Sequence, residues 1–269
     1  MAALAGATIK PQITVDPSDT SVIVEVGVVK SLTPSTSTAA VVETGLGGIS
    51  KKRLSSQEFN FGWEGLITDK AILTAGLDYA ATNLPPTLEI QMHAEKLTGA
   101  RVETMTITGS EGEALGYSFE GKFLASASAT VPTVTLANTF FVYSDGAISI
   151  AGSTTAVVKS FEVTVSRSMD FVYGTSLAPT SLDIGTTVIS GSLEIEAASF
   201  AETMTGAIAA DAAEFVILLS FTNPVTDETM LITLTDCQFN AVDGAVDPES
   251  SLTVTKSFDA DSIAVAEVT

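Results

Sequence analysis

From Val157 to Glu196 the chain alternates apolar and polar residues, and a period of two fits only one kind of backbone. Phe161, Val163 and Val165 interleave with Glu162, Thr164 and Ser166. Further on, Ile189, Gly191, Leu193 and Ile195 interleave with Ser190, Ser192, Glu194 and Glu196. In an extended chain successive side chains point to opposite faces, so this pattern predicts two strands, each with one face in a core and one in water. Between them, Tyr173 to Thr187 carries Gly174, Pro179 and Gly185, which predicts a loop. Ala178 precedes a proline and is expected to be extended.

The same rhythm recurs along the chain. Residues 1–20 are small, polar and Pro-containing and read as an N-terminal arm, leaving 21–269 as a single domain. Val22, Val24, Val26 and Val28 alternate as a strand. Ser31 to Ser50 is rich in Ser, Thr, Ala and Gly, which suggests a long loop (31–57 at its fullest) or an extended hairpin tip. Loops of that length in compact domains are usually functional. Lys51, Lys52 and Arg53 follow it, three of the chain's 12 basic residues. They are either a solvated turn or a contact for an acidic surface on a neighbouring copy. Phe59, Phe61 and Trp63 share a phase and read as core. Thr68–Leu77 reads as a short helix. Thr87–His93, Glu103–Thr108, Tyr117–Phe123 and Thr133–Tyr143 read as strands, with a tight turn at Gly109–Glu113. Phe200, Met204 and Ile208 recur every four residues behind a Ser199/Glu202 capping box, which predicts the main helix. Phe215–Phe221, Met230–Phe239 and Leu252–Lys256 close the domain as strands. The fold class expected is mainly β, a sandwich with one flanking helix.

Composition narrows the function. Among 269 residues only 16% are charged, yet the net charge is −20. Phosphate contacts need Lys and Arg, so binding to DNA through its backbone is disfavoured. Cys237 is the only cysteine, so no disulfide can form within the chain, and the thiol is expected in the core. The first residues lack the basic start and apolar run of a secretory signal, and no apolar run is long enough to span a membrane.

Motifs for chemistry are scarce. His93 is the sole histidine, which rules out a Cys/His zinc site within one chain. There is no nucleophile elbow, phosphate loop or dinucleotide fingerprint. Asp243, Asp247 and Glu249 lack the spacing of a calcium loop, as do Asp259 and Asp261, so these acids are expected in solvent. Catalytic, cofactor and metal sites are therefore all read as none. Trp63, Tyr117, Tyr143 and Tyr173 could serve a second kind of function, a stacking platform in a β-sandwich adhesin or carbohydrate-binding module.

Three stretches carry a resemblance. TGARVETMTITGSEGEALGYSFEGKF (Thr98–Phe123), MDFVYG and VISGSLEIE, in this order and spacing, resemble the tail tube proteins of long-tailed, siphovirus-like viruses. The resemblance spans Leu88 to Phe239; residues 1–87 are read from pattern alone. It implies a structural protein without enzymatic activity, assembled in the host cytoplasm into the virion tail. It implies a homo-hexameric ring that stacks into a tube, an inner sheet joining neighbours into a barrel, and a lumen through which DNA passes without specific binding. It further implies other tail proteins as partners (terminator, tape measure and distal tail) and no membrane. Under it, Glu162, Thr164, Ser166, Ser190, Ser192, Glu194 and Glu196 are lumen-lining candidates, the alternative being that this face is outer solvent surface. Ser31, Thr33, Gly45, Gly48, Lys51, Lys52 and Arg53 are candidates for contacts between rings.

Overall fold

The protein is seen here as a computed structural model. It describes residues 11–15, 23–25, 28–44, 50–77, 85–92, 94–131, 139–154, 158–196, 214–245 and 253–268. In chain order the elements are β1 (Pro11–Val15), β2 (Ile23–Glu25), β3 (Val28–Thr44), β4 (Ser50–Leu66), α1 (Lys70–Leu77), β5 (Leu88–Met92), β6 (Glu95–Ser110), β7 (Gly116–Lys122), β8 (Ala125–Ser128), β9 (Gly146–Ile150), β10 (Ser153–Thr154), β11 (Val158–Tyr173), β12 (Pro179–Glu196), β13 (Phe215–Thr222), β14 (Thr229–Ala245), β15 (Thr253–Ala260) and β16 (Ser262–Val268).

Eight of these strands form one large sheet in the order β3–β4–β7–β6–β11–β12–β15–β14, every neighbour antiparallel. Two long strands leave it and begin smaller sheets. Residues 95–100 of β6 pair with β5 and β8, and β5 leads on to β1 and β2. Residues 229–237 of β14 pair with β13 and β16, and β13 leads on to β9 and β10.

All three sheets feed one core. The large sheet gives Trp63, Met105, Phe119, Val163 and Leu193; the smaller ones give Ile13, Ile90, Ile217 and Ile232; α1 gives Ile72, Leu73 and Leu77. Each large apolar side chain fully buried here contributes about 1.5–3 kcal/mol. At its start, α1 is fixed by Asp69, whose Oδ1 accepts the Ala71 N–H at 2.8 Å. The expected mainly β fold is therefore present, with the short helix expected over Thr68–Leu77 as its one α-helix among the described residues. Within the chain, however, the sheet is open rather than closed into a barrel, and the large sheet ends in β3 on one side and β14 on the other.

Several local expectations need correction. Of the two readings of the 31–57 stretch, the loop is overturned and the extended hairpin holds: it is a pair of long antiparallel strands, β3 and β4, each of 17 residues. The arm expected over 1–20 holds β1, whose Ile13 is fully buried. The loop expected over Tyr173–Thr187 shrinks, because β12 already begins at Pro179. That position suits proline, since the first residue of a strand need not donate to the ladder. Gly185 sits where the register of the β11–β12 hairpin shifts between Arg167 and Met169, and a Cβ there would lie 2.1 Å from Ser168 Oγ. The helix expected over 199–208 and His93 lie outside the described residues.

Pro34 lies within β3 at no cost to the ladder. In β4 the backbone N–H of Gln57 and the C=O of Phe59 point away from β3, as does the N–H of Ile67. Alternation gives Phe61 the same direction, so its partner Pro34 has its nitrogen turned to the open edge.

Candidate functional site: a polar sheet face and two projecting hairpins

Register carries single rows of residues across the whole large sheet. One row runs Val29–Gly65–Tyr117–Ile107–Val163–Gly191–Phe258–Phe239 and faces the core. Its neighbour runs Ser31–Glu64–Ser118–Thr106–Thr164–Ser190–Asp259–Gln238, and every member is polar. The lumen-lining candidates are therefore the middle of a polar face that continues onto strands not singled out in the sequence. Beside Glu162 stand Thr108 and Ser192; beside Ser166 stands Thr104. The alternation of Thr104, Thr106 and Thr108 with Met105 and Ile107 was the signal for this extension.

On this face Glu162 is exposed, while Thr164, Ser166, Ser190, Ser192, Glu194 and Glu196 are half-buried by one another. Thr106 and Thr164 share a hydroxyl hydrogen bond at 3.1 Å, Ser160 Oγ donates to Glu194 at 2.9 Å, and Lys159 pairs with Glu196 at 3.3 Å. Two shallow grooves mark the face. One of about 310 Å³ is lined by Glu162, Thr164, Ser190, Ser192 and Asn240. The other, about 350 Å³, is lined by Thr33, Ser35, Asn60, Glu103 and Glu120. Neither groove is lined by a basic side chain. Lys122 stands at the rim, held by Glu103 at 3.3 Å and by the Met169 carbonyl, with its ammonium 5.6 Å from the Phe171 ring. Lys256 faces the opposite side, over the Phe239 ring, where burial lowers its pKa.

Two hairpins project past the same end of the sheet. β11 leaves β6 after Ser166 and β12 leaves β15 before Ile189. β4 leaves β7 beyond Asn60, and β3 pairs only with β4 among the described residues. The two projections are joined at Gln57, whose N–H donates to the Leu177 carbonyl at 3.0 Å and whose carbonyl accepts from Tyr173 Oη at 2.9 Å. Beyond Gln57 the β3–β4 ribbon continues for about 23 Å at the usual strand rise. Leu54 on this stretch is 58% exposed. Of the ring-contact candidates, Ser31 and Thr33 are exposed on β3, Lys51–Arg53 lie on β4 at the outer end of the ribbon, and Gly45 and Gly48 lie outside the described residues. In the register Lys51 stands opposite Glu43, so one of the three basic positions has an acidic cross-strand neighbour.

The aromatic platform is not assembled. Trp63 and Tyr117 are buried, the indole N–H donating to the phenol oxygen at 2.9 Å. Tyr143 is half-buried and donates to the Val158 carbonyl. Among the described residues no three His, Cys, Asp or Glu side chains converge as a metal site, and no helix is long and apolar enough to cross a membrane. Asp259 accepts a hydrogen bond from Asn240 at 2.8 Å, and Asp247 and Glu249 lie outside the described residues.

A family model described as "Phage tail tube protein" matches residues 13–260. No curated protein matches the chain. Among solved structures, Hcp1 from Flavobacterium johnsoniae aligns at 16% identity and a TM-score of 0.30, over 46% of this chain and 97% of that one. So loose a likeness carries no argument about fold or assembly.

Proposed function

The chain belongs to the phage tail tube protein family, and from that premise we propose that it is the major tail tube subunit of a siphovirus-like virion. Six copies form a ring, rings stack into a tube, and viral DNA passes through the lumen on ejection. Its role is structural rather than catalytic. Its partners are further copies of itself and the terminator, tape measure and distal tail proteins at the ends of the tube.

The observation supporting this reading is the polar face. Glu162, Thr164, Ser166, Ser190, Ser192, Glu194 and Glu196 offer hydroxyls and carboxylates to the lumen. Duplex DNA carries about one negative charge per 1.7 Å, and a lysine lining would grip it through counterion release. An acidic and hydroxyl lining leaves the duplex free to slide. Lys51–Arg53, on the projecting ribbon, reach the adjacent ring, whereas Ser31 and Thr33 lie on β3 beside the paired part of β4 and extend the polar face instead.

The test replaces Glu162 and Glu194 by Lys. Glu162 is exposed and Glu194 half-buried, so tubes are expected to assemble as before. DNA delivery is expected to slow several-fold. A density map of the tube with Glu162 on the outer wall would overturn the assignment of this face.

A further inference from the structure

The β3–β4 ribbon and the opposite end of the large sheet differ in charge. The outer ribbon carries Lys51, Lys52 and Arg53, with Glu43 across from Lys51, a net +2 in a chain of −20, while the β11–β12 hairpin beside it carries the exposed acids Asp170 and Asp183. At the opposite end lies the turn between β6 and β7, with Glu111 and Glu113 both exposed. Next to it is a 3-10 turn, Tyr143–Asp145, tied to the first by the Tyr143 N–H donating to the Glu113 carbonyl at 3.0 Å. Asp145 is exposed there, and Glu196 is paired with Lys159, whose carbonyl accepts the Glu111 N–H. Four acids against one lysine leave this end at net −3.

The ribbon and the acidic end each also leave a large apolar side chain in water. On the ribbon it is Leu54, 58% exposed; at the acidic end it is Phe140, 39% exposed, next to Phe141, which is bonded into Ile67 and Leu115. A two-stranded ribbon alone is marginally stable in water and gains most from a surface that covers it. Identical copies placed head to tail along the strand direction bring these unlike ends together, and such a contact repeats without limit.

We propose that the outer β3–β4 ribbon of one copy docks on the Glu111–Glu113 turn and Phe140 of the next copy along the tube. Lys52 and Arg53 meet Glu111, Glu113 and Asp145, and Leu54 packs on Phe140. This rests on the tube reading and adds the receiving surface.

The test is a charge swap read by electron microscopy and sedimentation at physiological salt. Lys52→Glu with Arg53→Glu, and separately Glu111→Lys with Glu113→Lys, should each give rings but shorten the tubes at least tenfold. Combining the four should restore most of the length. Loss without restoration, or full-length tubes in either double variant, would overturn the docking while leaving the tube reading intact. Wild-type protein that stays monomeric would instead sink the tube reading itself. A cysteine pair, Leu54→Cys with Phe140→Cys, gives an independent readout. The native thiol Cys237 is buried, so a ladder of disulfide-linked oligomers in oxidised tubes is expected, and its absence from well-formed tubes counts against the contact.

Discussion

Arg167 occupies a core position on β11 with only 4% of its surface exposed. Its guanidinium donates to the Val102 carbonyl and to the Gly76 carbonyl near the end of α1, each at 2.9 Å, so it ties the helix to the sheet. Arg167→Leu leaves both carbonyls without that donor and should destabilise the fold by about 3 kcal/mol, read as a lower denaturant midpoint. Gly109 is fixed by space: a Cβ there would lie 2.4 Å from Phe161 Cε1 and 2.8 Å from Leu115 Cδ2. Gly109→Ala should therefore cost about 1–3 kcal/mol through overpacking. Burial lifts the Cys237 thiol from 9.0 to about 11, and burial together with the charge of Glu111 lifts Tyr143 from 10.0 to about 12. Both groups keep in the fold a proton that the unfolded chain releases at lower pH. Their stabilisation is whole below pH 9 and is lost as pH climbs from 9 to 12. Thermal melts across that range should fall, and Tyr143→Phe should flatten the part of the fall above pH 10.

Among the elements, the strands that bury one face were legible and those wet on both faces were not. Phe161, Val163 and Val165 announce β11 because a core waits on one side of it. Ser31 to Ala39 of β3 are nearly all exposed, so no alternation forms and the composition reads as a loop. Only the pairing with β4, a contact between distant residues, makes that stretch a strand. β12 was cut short for a related reason: Pro179 and Gly185 normally break strands, yet one begins the strand and the other sits at its register shift. The polar face was legible in part, since alternation identifies a wet side on each strand but cannot join strands into a row. Ala39 and Ser56 are the directly paired residues just beyond Gln57, and alternation turns the Ser56 N–H towards β3. Replacing residues 40–55 by an Asn-Gly turn, which favours a tight hairpin, should leave subunits that fold and form rings. Long tubes should be lost, as seen by microscopy; tubes of normal length would show that the ribbon is dispensable.

For the molecule as a whole, charge opposes assembly. In the proposed ring of six, copies at −20 bring −120 together, so ring formation should strengthen with salt as the Debye length falls from about 10 Å at 0.1 M to about 3 Å at 1 M. Sedimentation of the ring species across that range measures it, and fewer rings at high salt would contradict it, whereas the charged contact proposed along the tube should weaken there. The width of the large sheet sets a further limit. Eight strands at about 4.8 Å spacing make a panel roughly 38 Å broad, and six such panels laid edge to edge enclose a perimeter of about 230 Å. The usual strand tilt widens that to a bore of roughly 95 Å between backbones, in which a duplex would wander and kink. Four strands per copy halve the perimeter and, at the same tilt, leave a bore of roughly 50 Å. The sheet is therefore expected to curl, with β6, β11, β12 and β15 turned to the bore and β3 and β4 swung towards the rim. A section through the tube would then show a lining of two dozen strands rather than twice that number, and the calibre of the channel would follow from how sharply one sheet bends.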